Sequence, residues 1–71
     1  MGANFHKLDS SSIEHVDYHD DKDILEIKFT NGAIYHYPEC DKKHYEALKI
    51  ASSAGQYFHR VLRGAKYKRI N

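Results

Sequence analysis

The stretch that most constrains the fold is Ile24 to Tyr37, ILEIKFTNGAIYHY. Here Leu25, Ile27 and Phe29 alternate with Glu26, Lys28 and Thr30 and run directly into Asn31-Gly32. Period-two alternation with β-branched and aromatic residues describes a strand with one buried face. Asn-Gly supplies two residues that tolerate positive φ, as a two-residue type I′ hairpin requires, so a second strand is predicted from Ala33 to about Tyr37. Two strands alone are marginal in water and need further layers. Upstream, Ser12 to His19 reads as a third strand. Ile13 is out of phase with Val16 and Tyr18, which predicts a bulge or an early bend. Asp20-Asp21-Lys22-Asp23 is read as the solvated turn joining that strand to the hairpin.

The hydrophobic period changes after Pro38. Asp41 is a good N-cap, and Tyr45, Leu48 and Ala51 recur on one side, predicting a helix from about Lys42 to Ala51. Ser53-Ala54-Gly55-Gln56 has the form of a capping box, and Phe58, Val61 and Leu62 follow at helical spacing before Gly64. The reading is a single α+β domain: a three-stranded antiparallel sheet followed by two short helices packed on one face, in the order β-β-β-α-α. Neither helix is long enough to be stable alone, so both must bury a stripe against the sheet. Residues 1–10 are read as an N-terminal arm, 11–67 as the domain and 68–71 as a basic tail.

Composition sets the limits on partners. At 71 residues, with 41% hydrophobic and 30% charged side chains, the chain suits one folded domain with one small core. Cys40 is the only cysteine, so no internal disulfide and no disulfide-linked partner is expected, in keeping with a reducing cytoplasm. The opening MGANFHKLD has no apolar leader and no lipidation signal, and no run approaches the roughly 20 apolar residues that span a bilayer. A cytoplasmic chain without a membrane anchor is therefore expected. The net charge of +1 hides an asymmetry: all ten Asp and Glu lie at or before Glu46, whereas Lys49, Arg60, Arg63, Lys66, Lys68 and Arg69 follow with no acidic residue among them. That arrangement fits either an internal charge balance or a basic patch for an anionic partner.

Two candidate surfaces follow from the pattern. With a two-residue turn, Phe29 pairs with Ile34, Lys28 with Tyr35 and Glu26 with Tyr37. Leu25, Ile27, Phe29 and Ile34 then form the core, and Tyr35 and Tyr37 stand beside Lys28 on an open face. One extra residue in the turn reverses this and buries both rings. Exposed tyrosines beside lysine form a platform on which unpaired bases stack. On the last helix, Gln56, His59, Arg60 and Arg63 share a face opposite the apolar stripe. Together with Lys66, Lys68 and Arg69 they could hold a phosphate backbone. Candidate nucleic-acid contacts are thus Lys28, Tyr35, Tyr37, Gln56, His59, Arg60, Arg63, Lys66, Lys68 and Arg69.

Other constellations carry less. His15, Asp17 and His19 line one side of a strand, but three ligands on one strand span too far to close on one ion, so no metal or other cofactor is expected. Cys40 has His36 and His44 four positions away on either side. It falls at a strand-to-helix corner where a small apolar residue belongs, and no catalytic set is assigned.

From about Ser11 to Tyr67 the chain resembles the KTSC domain family, named for its occurrence at the carboxyl end of some lysyl-tRNA synthetases and found also as free-standing bacterial and phage proteins. The resemblance lies in SSIEHVDYH, LEIKF, the central YHY and ASSAGQYFHRVLR. The family pattern lands on Ser12, Tyr18, Phe29, Gly32, Tyr35, Tyr37, Tyr45, Leu48, Ala51, Ser53, Gly55, Tyr57, Phe58 and Arg63. Cys40-Asp41 departs from the Val-Pro common in the family, and the spacing from Arg63 to Tyr67 is about one residue longer. The resemblance implies no settled activity, with RNA as a suspected partner; with no catalytic residue set, the chain is read as a non-catalytic binding module, RNA foremost. The competing expectation is a protein-interaction module, docking or dimerising through Phe5 and the tyrosines.

Overall fold

The computed structural model describes residues 4–71. Five strands form one antiparallel meander in chain order: β1 (His6–Lys7), β2 (Ile13–His19), β3 (Ile24–Phe29), β4 (Ile34–Tyr37) and β5 (Lys68–Arg69). Two helical segments, α1 (Lys42–Ile50) and α2 (Ala54–Leu62), lie between β4 and β5; α2 is α-helical to Tyr57 and π-helical from Phe58. The expected three-stranded sheet is therefore corrected to five, with an added strand at each edge. Both additions are two residues long and polar, too short to show a period, and are defined only by backbone pairing to β2 and β4.

Local chemistry explains the interior elements. Ile13 pairs with Phe29 and His15 with Lys28, so Glu14 is the extra residue of the predicted bulge. The Asp41 carboxylate accepts from the Lys43 amide at 2.9 Å, and the Ser53 hydroxyl accepts from the Gln56 amide at 3.3 Å, so both predicted caps form. Gly55 sits close to β2: a Cβ there would come 3.2 Å from the Ser12 hydroxyl. In the π-helical stretch the wider turn carries Val61 out to 43% exposure while Leu62 stays buried, so the expected Phe58, Val61 and Leu62 stripe is only partly internal.

The hairpin register differs from the two-residue reading. Leu25 pairs with Tyr37, Glu26 with His36, Ile27 with Tyr35 and Lys28 with Ile34. The loop is Thr30-Asn31-Gly32: the Gly32 amide bonds the Phe29 carbonyl, Phe29 bonds Ala33, and only Gly32, at φ 94°, is left-handed. That is a type I turn closed by a glycine bulge. The extra residue places Tyr35 and Tyr37 on the helix-covered face with Leu25 and Ile27, and moves Ile34 and Lys28 to the other.

The core lies between the sheet and the helices and contains Ile13, Val16, Leu25, Ile27, Tyr37, Tyr45, Leu48 and Leu62, with Tyr18 and Cys40 at one end. The Tyr18 hydroxyl donates to the Cys40 carbonyl, and the Tyr45 hydroxyl donates to the Asn4 carbonyl at 2.6 Å, tying the arm to α1. A chain of 71 residues has only about 4–10 kcal/mol of total stability, so one large core side chain is decisive. Tyr37→Ala should cost about 3–5 kcal/mol and leave the domain largely unfolded at 37 °C. Tyr35→Ala, at a half-buried position, should cost clearly less. Urea denaturation followed by circular dichroism checks both; equal, small losses would place Tyr37 outside the core.

Candidate nucleic-acid interface and the opposite sheet face

The register determines what each face can offer. Tyr37 is 2% exposed, so the expected open platform of Tyr35, Tyr37 and Lys28 is corrected: both tyrosines face the helices, and Lys28 points the other way. Lys28 is paired there with Glu14 at 3.1 Å. Tyr35 packs edge-on against Phe29 at 5.3 Å between centroids. Burial first, and then the nearby Tyr35 and Tyr67, push the Tyr37 hydroxyl above the ordinary tyrosine range, so it stays neutral at any physiological pH.

The carboxyl-terminal cations remain on the surface. Gln56, His59 and Arg60 are exposed on α2, and Arg63, Lys66, Lys68 and Arg69 are exposed beyond it. Among the described residues, Arg60, Arg63, Lys66, Lys68 and Arg69 form no salt bridge, whereas Lys28, Lys42 and Lys49 are paired with Glu14, Asp20 and Glu46. The free cations do not all share one face. Arg69 pairs in register with Tyr35 and its guanidinium lies 5.9 Å from that ring, while Lys68 pairs with His36 on the far side of the sheet.

An aromatic residue absent from the sequence expectation joins this edge. Tyr67 is 54% exposed and contacts Tyr35 and Tyr37, with centroids 4.9 and 5.9 Å apart. Its signal was the Lys66-Tyr67-Lys68 triplet, an aromatic flanked by two cations in a segment with no hydrophobic period. A cleft of about 460 Å³ lies beside it, of mixed charge, lined by Tyr37, Glu39, Asp41, Lys43, Leu62 and Lys66 among others. Lys66, Tyr67 and the cleft thus adjoin Tyr37, whereas Arg60 lies beside Ile50, Ser53 and Gln56.

The opposite face carries polar groups in cross-strand rows. Phe5 stacks on His15 with centroids 4.5 Å apart, so it is engaged with that imidazole and separated by the sheet from Tyr35. Glu26 receives three imidazoles: His15 Nε2 lies 3.0 Å from Oε2, and His36 and His19 Nε2 lie 2.9 and 3.4 Å from Oε1. Burial alone would raise the Glu26 carboxyl, but the hydrogen bonds from these histidines outweigh it and hold the group below its usual range.

Cys40 is buried at the corner expected for it, with its thiol pushed up by burial and then by Asp41. The thiolate fraction at neutral pH is therefore small. Native protein should react with a thiol reagent many times more slowly at pH 7.5 than the urea-unfolded chain. Equal rates would mean that the corner is open.

The family model for the KTSC domain matches residues 9–67 of the chain. An uncharacterized protein of Stutzerimonas stutzeri (strain A1501) is 34% identical over 61 residues, covering 86% of each chain. The crystal structure of a KTSC domain protein from Yersinia pestis superposes with a TM-score of 0.85 at 28% identity, covering 94% of this chain and 96% of that one. Among the described residues, no helix is long and apolar enough to cross a membrane.

Proposed function

The chain belongs to the KTSC domain family, and on that premise we propose that it is a small non-catalytic binding module whose basic edge takes up single-stranded nucleic acid, RNA foremost. The observation that carries this reading is that Arg60, Arg63, Lys66 and Arg69 are exposed and form no salt bridge among the described residues, with the exposed Tyr67 lying between Lys66 and Arg69 along the chain. Cations free of carboxylate partners keep their full charge for phosphates, and a tyrosine with one face in solvent stacks on any base. The contact set is narrower than the sequence suggests. Arg60, Arg63, Lys66, Tyr67 and Arg69 form it, Gln56 and His59 flank it on the helix, and Lys68 borders it from the far face. Tyr35 supports the ring of Tyr67 from below. Tyr37 and Lys28 drop out, one as core and the other as an ion pair across the sheet.

A protein partner is the competing reading. Phe5, Tyr35 and Tyr37 are already packed within the domain, so such a partner would dock on the exposed Ile50, Val61, Tyr67 and Ile70 instead. Titration of the full chain with a short mixed-sequence RNA at several salt concentrations separates the two. Affinity should fall steeply with salt for the wild type. Arg60→Ala with Arg63→Ala should flatten the log–log slope by about 1.4, near 0.7 for each phosphate of a single strand that is no longer neutralised. Tyr67→Ala should weaken binding by about 1–3 kcal/mol with little change of slope. No binding at low salt, or a slope unchanged in the arginine variant, would reject this interface.

A further inference from the structure

On the face away from the basic edge, we propose that His19, Glu26 and His36 form a binding site for a divalent first-row transition metal ion of the Zn²⁺ class. His19 comes from β2, Glu26 from β3 and His36 from β4, three adjacent strands whose register sets the side chains in one patch. One ring nitrogen of His19, one of His36 and a Glu26 oxygen all lie within 4.8 Å of one another. In a tetrahedral site with bonds of about 2.0–2.1 Å, neighbouring ligand atoms are separated by about 3.3 Å. His19 and His36 stand 3.4 and 2.9 Å from Glu26 Oε1, so only small rotations admit an ion. Two imidazoles and one carboxylate leave a fourth position for solvent, and this donor set suits zinc and its neighbours rather than magnesium or calcium.

The surroundings fit that role. His15 holds the other oxygen, Oε2, at 3.0 Å, and so orients the carboxylate as outer partners do in metal sites. His15 is itself fixed by the ring of Phe5. The His19 and His36 side chains are 36% and 26% exposed, which leaves an entry path from solvent. Lys28, on the same face, is neutralised by Glu14. Lys68 is the exposed cross-strand partner of His36, a placement that favours hydroxide or another anion at the fourth position. The alternate spacing of His15, Asp17 and His19 along one strand does not make this site. Pairing across strands does, by bringing Glu26 and His36 beside His19.

The test is a titration of full-length, untagged, chelator-treated protein with Zn²⁺, following the imidazole ring resonances by long-range ¹H–¹⁵N NMR. The ring signals of His19 and His36 should shift and saturate at one ion per chain, well below millimolar metal. Glu26→Gln, similar in shape, should weaken Zn²⁺ by at least about tenfold with a native amide spectrum, and His15→Gln, a positioning change, by about tenfold. Co²⁺ should give the intense visible absorption of a four-coordinate site in the wild type and lose it in His36→Ala. Shifts confined to His6, His44, His59 or Cys40, no saturation below millimolar Zn²⁺, or undiminished affinity in Glu26→Gln would each overturn the site. The wild-type ring shifts decide the matter even if a variant fails to fold.

Discussion

The glycine-bulged turn from Phe29 to Ala33 is the constraint on which the rest of the structure depends. Side chains alternate along a strand, so one residue more or less in that turn exchanges the two faces of β4. Thr30 is held in the loop from outside the hairpin: its amide bonds the Ser12 carbonyl at 2.9 Å and its hydroxyl donates to the Ser11 carbonyl at 3.1 Å. Asn31 uses its side-chain oxygen to accept from the Ala33 amide at 3.0 Å, closing a local turn. Tyr37 therefore enters the core beside Leu25, and His36 arrives beside Glu26.

This sorting separates two kinds of chemistry. The helix-covered face uses its aromatics to fill volume: Tyr37, Phe29 and Phe58 meet edge-on, and Tyr67 caps the cluster at the rim. An aromatic at the rim packs on one side and is wet on the other, a position from which it can both stabilise and bind. The far face keeps its polar groups satisfied, the three imidazoles through Glu26 and Asp17 through the Tyr18 amide, with no buried side-chain nitrogen or oxygen left without a partner among the described residues. The arm joins both faces: Asn4 receives the Tyr45 hydroxyl from the helix layer, while Phe5 covers His15 on the other side.

Much of the interior was legible because local signals agreed. Leu25 and Ile27 carry the period of β3, Ile13 against Val16 announces the bulge, and Asp41 and Ser53 mark the helix starts. The register was not legible, because Asn-Gly specifies a tight turn in isolation, while the contact of Thr30 with Ser11 and Ser12 lies 18 or more residues away in sequence. His6–Lys7 and Lys68–Arg69 have no pattern to read, and the π-helical step at Phe58 is invisible to a 3.6-residue period. Arg60, on α2, and Arg63, just past its end, carry a helical spacing in the sequence and remain exposed. Tyr67 and the grouping of His19, Glu26 and His36 emerge only when β4 and β5 take their places.

The most direct measurement is the set of α-proton nuclear Overhauser contacts between β3 and β4. In an antiparallel pair, residues opposed without mutual hydrogen bonds bring their α-protons closest. The observed register places Glu26 against His36 and Lys28 against Ile34, and strong contacts at those two pairs are the expected result. Contacts that instead join Ile27 with His36 and Phe29 with Ile34 would restore the two-residue turn, put the tyrosines on the open face and contradict the account.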